Sequence, residues 1–177
     1  YDEAARIMKD FVRKRMLPDV GVYEPAEDDP NAMADALAAL AHIRRVDAAY
    51  TKQLRKKLQV RGSTGIDAAW EGLCKKLERS GRAAALDWKS EREDFVAAVQ
   101  ALAAGTGLAV DADRFGEMGG IPAWSKAINA TWRDHILAAM DMNSEDYVLL
   151  VLTRMDFERA AECARVLLHR IARAEEM

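Results

Sequence analysis

Two apolar runs, Ile136-Leu137-Ala138-Ala139-Met140-Asp141 and Tyr147-Val148-Leu149-Leu150-Val151-Leu152-Thr153, flank the polar stretch Met142-Asn143-Ser144-Glu145-Asp146. The linker is rich in residues that stabilise turns through their own side chains, so the segment predicts a β-hairpin. The second run is apolar without alternation. A strand with one face in water carries a polar residue at every second position, so this one is covered on both faces and belongs in the middle of a sheet. Helices must lie on both sides, from this chain or from a partner.

Upstream, Ala83-Ala84-Ala85-Leu86-Asp87-Trp88 is a short apolar run that ends in charge and is followed at once by a helix start, which predicts a third strand. Ser90 and Glu93 then read as a capping box, and Phe95, Val96, Val99, Leu102 and Ala103 as the buried face of a helix ending near Gly105. Leu108-Ala109-Val110 predicts a brief strand. A helix from about Pro122 to Asp134 lines up Trp124, Ile128 and Trp132 on a core face. A last helix is expected from Asp156 to about Arg173, with Phe157, Ala160, Ala164, Leu167, Leu168 and Ile171 inward.

The N-terminal half reads as helical throughout. Residues 2–17 form an amphipathic pattern, and residues 23–30 an acidic, proline-punctuated loop. Asp29-Pro30 opens a long helix that runs to Gly62, and Ser63-Thr64 with Asp67 caps another that closes at Ser80-Gly81. The expectation is therefore an α+β fold in one domain, residues 1–177. Its helical part is 1–80 and its α+β part 81–177, with strands near 83–88, 136–141 and 146–153.

At 177 residues, half of them apolar, the chain can bury a core without disulfides or a structural metal. A net charge of −3 offers no broad positive field to a phosphate backbone, so nucleic acid is not expected as a partner. Lys52, Arg55, Lys56, Lys57 and Arg61 sit where cations complement a helix dipole and lack interleaved aromatics. Cys74 and Cys163 match no zinc or redox spacing and read as reduced core thiols. No apolar run reaches membrane-spanning length, and Tyr1-Asp2-Glu3 is not a signal n-region, so a cytoplasmic protein is expected.

The candidate site is a polar rim: Asp87, Trp88 and Lys89 at the end of the first strand, with Asp141, Asn143, Ser144, Glu145 and Asp146 in the hairpin loop. If strand and hairpin share a sheet, these carboxylates gather at one end and attract a cation. The competing explanation is turn chemistry alone. His135, beside Asp134 at a helix-to-strand junction, joins the candidates; His42 and His169 belong to no cluster. EF-hand spacing fails from Asp141, where Asp146 and Leu152 replace the glycine and closing glutamate, and from Asp111, where Phe115 and Pro122 are out of place. There is no P-loop, GxGxxG or GxSxG motif, and no metal or cofactor is expected.

Asp87-Trp88-Lys89, the Asp141 to Asp146 loop and the Tyr147-led strand together resemble a family of uncharacterised bacterial proteins, over about residues 66–171. The resemblance implies a bacterial cytosolic α+β domain and carries no activity or catalytic residues. The function expected is a non-enzymatic protein-binding module, in its most concrete version immunity-like, neutralising a basic toxin. The alternative is a metal-binding or hydrolytic enzyme using Asp87 and the Asp141 to Asp146 carboxylates. A homodimer through the Ala-rich helix is a third expectation.

Overall fold

In the computed structural model, which describes residues 30–43, 49, 50, 52, 53, 56, 65–116 and 118–177, the hairpin is the centre of a four-stranded sheet. Strands β1 (Ala84–Asp87), β2 (His135–Met140), β3 (Asp146–Thr153) and β4 (Ile171–Arg173) stand in the order β1-β3-β2-β4, every neighbour antiparallel. The α+β class is as the sequence implies. The expected helical segment at 2–17 and the acidic loop at 23–29 lie outside the described residues.

Side chains alternate cleanly across the two central strands, as a period of two requires. Ile136, Ala138, Met140, Val148, Leu150 and Leu152 face one way, into a core shared with helices α1 (Pro30–Ile43), α2 (Ile66–Arg79) and α5 (Arg154–Val166). Leu137, Ala139, Leu149 and Val151 face the other, against α3 (Arg92–Ala103) and α4 (Gly120–Thr131). This is the two-sided cover that the unalternating run in β3 demands. Each large apolar side chain sealed there contributes about 1.5–3 kcal/mol relative to exposure.

Asn129 completes the sheet. Its side-chain amide donates to the Leu137 carbonyl at 2.9 Å and accepts from the Leu137 N–H at 2.7 Å. The last β2–β4 partners are Ala138 and Arg173, so Leu137 lies one step beyond the end of β4. The carboxamide reproduces the pair of bonds that a longer strand would have made. Nδ2 also donates to Glu175 at 2.6 Å, tying α4 to the C-terminal 3₁₀ turn Ala174–Glu176.

Several boundaries differ from expectation. The last helix ends at Val166 instead of about Arg173, because Leu168 adopts a left-handed conformation with φ of 57°. Its N–H bonds Arg165 O and the His169 N–H bonds Ala164 O, a Schellman closure that frees Ile171–Arg173 to form the edge strand. That helix begins at Arg154, two residues before Asp156, where the Thr153 hydroxyl caps the Asp156 N–H. The Ser90–Glu93 capping box does not form as read, and the expected Ser63-Thr64 cap falls outside the described residues. Glu91 precedes α3 and Gly65 precedes α2, both without a side-chain cap. Leu108–Val110 pairs with no strand and packs its apolar side chains on the α4 side of the core. Helix α4 stops at Thr131, freeing His135 to open β2. The long helix is described as Pro30–Ile43 and, further on, as helical residues 49, 50, 52, 53 and 56.

Candidate functional site

The hairpin loop and the end of β1 meet at one end of the sheet because β1 is the immediate neighbour of β3. The register puts Asp87 directly opposite Asp146. Turn chemistry accounts for part of the rim. Asp141 Oδ1 accepts the Asn143 N–H at 2.8 Å, Ser144 Oγ accepts the Asp146 N–H at 3.2 Å, and Asn143 takes the left-handed conformation that asparagine tolerates. Asp87 Oδ1 likewise accepts the Lys89 N–H at 2.8 Å.

Trp88 is not accounted for in that way. The other three tryptophans are buried, and each indole N–H donates to a backbone carbonyl: Trp70 to Asp141, Trp124 to Gly116 and Trp132 to Ala109. Trp88 is 48% exposed, and its indole N–H donates to Glu145 Oε2 at 3.0 Å. Lys89 Nζ stands 4.9 Å from the ring centre, so the aromatic face already carries a cation. Trp88, Asp141, Ser144, Glu145, Asp146, Tyr147, Arg170 and Met177 line an open depression of about 260 Å³. Asn143 sits in the adjoining loop.

His135 is not brought to this rim. It opens β2 opposite Thr153, at the other end of the strand, roughly 17 Å away at about 3.3 Å per residue. Its Nδ1 is buried without a hydrogen-bond partner. Among the described residues, no three His, Cys, Asp or Glu side chains converge to hold a metal ion.

Arg170, Tyr147 and Met177 line the depression although sequence reasoning did not single them out. Arg170 and Met177 arrive with β4, whose existence depends on the unmarked helix stop at Leu168. The Asp141 N–H bonds Arg170 O at 2.9 Å, fixing that strand against the loop. Behind it, His169 stacks on Trp70 at 4.6 Å and shares a 3.0 Å contact with Asp67. A larger groove of about 640 Å³, between α5 and β4, is lined by Phe157, Glu158, Glu162, Arg165, His169 and Arg170 among others; it shares Arg170 with the rim depression and holds none of the predicted rim residues. Of the cationic run in the N-terminal half, Lys52 and Lys56 are exposed and helical; Arg55, Lys57 and Arg61 lie outside the described residues. No described helix is long and apolar enough to cross a membrane.

The family model of a domain of unknown function, DUF6630, matches residues 22–175. The chain belongs to the DUF6630 family. The DUF6630 match reaches well upstream of residue 66, so α1 and α2 belong to the same family unit as the sheet, where the sequence resemblance covered only the later part. Comparison with curated proteins and with solved structures finds no match.

Proposed function

We propose that the chain is a protein-binding module, not an enzyme, and that the rim is its contact surface for a basic partner. The observation that carries this reading is the Asp87–Asp146 pair beside an exposed tryptophan. Like charges directly opposite one another in a sheet destabilise it, by roughly 0.2–1 kcal/mol, and here no described cation bridges them. The carboxylates suit a lysine or arginine side chain of the partner, which at the indole would replace the chain's own Lys89. Neutralisation of a basic toxin, the immunity-like form of this role, uses the same chemistry.

The test is co-purification from native cell extract at low salt by the wild-type chain, by Asp87→Lys/Asp146→Lys, and by Glu158→Lys on the exposed side of α5. The reading expects a basic protein captured by wild type and Glu158→Lys, released as salt rises and not captured by the double reversal. Equal capture by the double reversal, or no captured protein at all, overturns it.

A further inference from the structure

The registers fix the direction of every backbone group in the sheet. Leu137 exchanges its bonds with Asn129, and Asp141 donates to Arg170, so the odd-numbered residues of β2 turn toward β4 and the even-numbered ones toward β3. Ala138 opposes Leu150 and Met140 opposes Val148, so β3 turns its even residues to β2 and its odd residues to β1. Leu149 and Tyr147 therefore bond Ala84 and Leu86, which leaves Ala85 and Asp87 turned outward. Two bonds at the ends of β1 agree with this parity: the Ala83 N–H donates to Leu77 O, and Asp87 O accepts the Ser90 N–H. The Ala85 N–H, the Ala85 carbonyl and the Asp87 N–H remain on the outer edge, unbonded by any described residue.

The same parity makes Asp87 and Asp146 a non-hydrogen-bonded pair, the type in which opposing side chains come closest. Both carboxylates thus lie on one face at the end of an open edge, with Trp88 as the next residue. We propose that an extended basic segment of the partner pairs with the outer edge of β1 as a fifth strand. This rests on the reading of the rim as a protein-binding surface and names the form the partner takes there. Charge complementarity selects the occupant, because alternate side chains of an added strand fall on the Asp87–Asp146 face and must be cationic to be accepted. Three open backbone groups give only a weak complex by themselves, so the carboxylates and the indole supply the remaining affinity and the selectivity.

A capped peptide of about seven residues alternating lysine and threonine, with a glutamate–threonine peptide as control, is titrated into the labelled full-length chain and followed by backbone amide NMR. The lysine peptide is expected to shift the Ala85 and Asp87 amides, slow their hydrogen exchange and move the Trp88 indole signal, while the glutamate peptide does none of these. Ala85→Pro removes an outward donor without breaking a ladder bond, a position where an edge strand tolerates proline. Loss of one hydrogen bond, about 1 kcal/mol, should weaken the lysine peptide roughly five- to ten-fold. If Trp88 moves while the Ala85 and Asp87 amides stay unchanged, the added strand is wrong and the rim reading stands; if no signal moves, both fall. Should Ala85→Pro not fold, the wild-type amides decide alone.

Discussion

Asn129 is a helical residue that acts as a piece of strand. Its carboxamide satisfies the Leu137 N–H and carbonyl where β4 stops short, and both partners are buried. Asn129→Ala leaves two buried backbone groups unpaired, so the expected loss is about 2–4 kcal/mol by denaturant unfolding, with an unchanged slope. Asn129→Asp keeps an acceptor and loses the donors, and should also destabilise. Nothing at sequence level separates this asparagine from a solvated one, because its value comes from a strand end set elsewhere. Trp88 and the rim carboxylates were legible by contrast, since a charge after a short apolar run and a polar loop between two apolar runs are local signals. Their meeting required only that β1 pair with β3.

Two helix ends show why some elements could be read and others could not. Both α2 and α5 close in a Schellman motif, with Arg82 and His169 donating back to Leu77 and Ala164. At the first, Gly81 takes the left-handed position with φ of 70°, and the glycine announces the stop. At the second, exposed Leu168 takes it with φ of 57°, at a cost of about 1–2 kcal/mol for an L side chain. A leucine there, followed by Ile171 at helical spacing, continues the apolar stripe, so β4 was hidden and Arg170 with it. Leu168→Gly should stabilise the protein by a few tenths to about 1 kcal/mol, raising Tm by roughly 1–4 °C, because the relieved strain exceeds glycine's extra unfolded-state entropy. Gly81→Ala should cost about 1 kcal/mol. A Cβ there meets nothing within 4 Å, so the penalty is conformational alone. Thermal unfolding of the two variants checks both signs.

Across the whole molecule, the sheet separates two cores, and the thiols report on the first of them. Burial pushes the Cys74 thiol up to about 12, helped by its 3.2 Å hydrogen bond to Glu78, and burial also raises Cys163. At pH 8 the Cys74 thiolate fraction is then on the order of 10⁻⁴, against roughly a quarter for a free cysteine. A disulfide-exchange reagent should label Cys74 far more slowly than a free thiol until denaturant is added. Because the raised value lies in the folded state, this contribution to stability is complete below the ordinary thiol range and declines as pH rises from about 9 toward 12. The two-layered cover of the sheet was legible from the composition of β3 alone. Which helices supply it was not, since that depends on crossings the chain makes between distant segments.

On the proposed function, Asp87 and Asp146 oppose one another at a cost to the fold because they serve a cationic partner. Thermal melting of wild type and Asp87→Asn/Asp146→Asn, each with and without the lysine–threonine peptide, tests this directly. Asparagine preserves the acceptor that Asp87 offers to the Lys89 N–H, so only charge is removed. The double variant should melt higher than wild type when alone and respond little to peptide, while wild type rises as peptide is added. A variant that melts lower, or a peptide response equal in both, would contradict the claim.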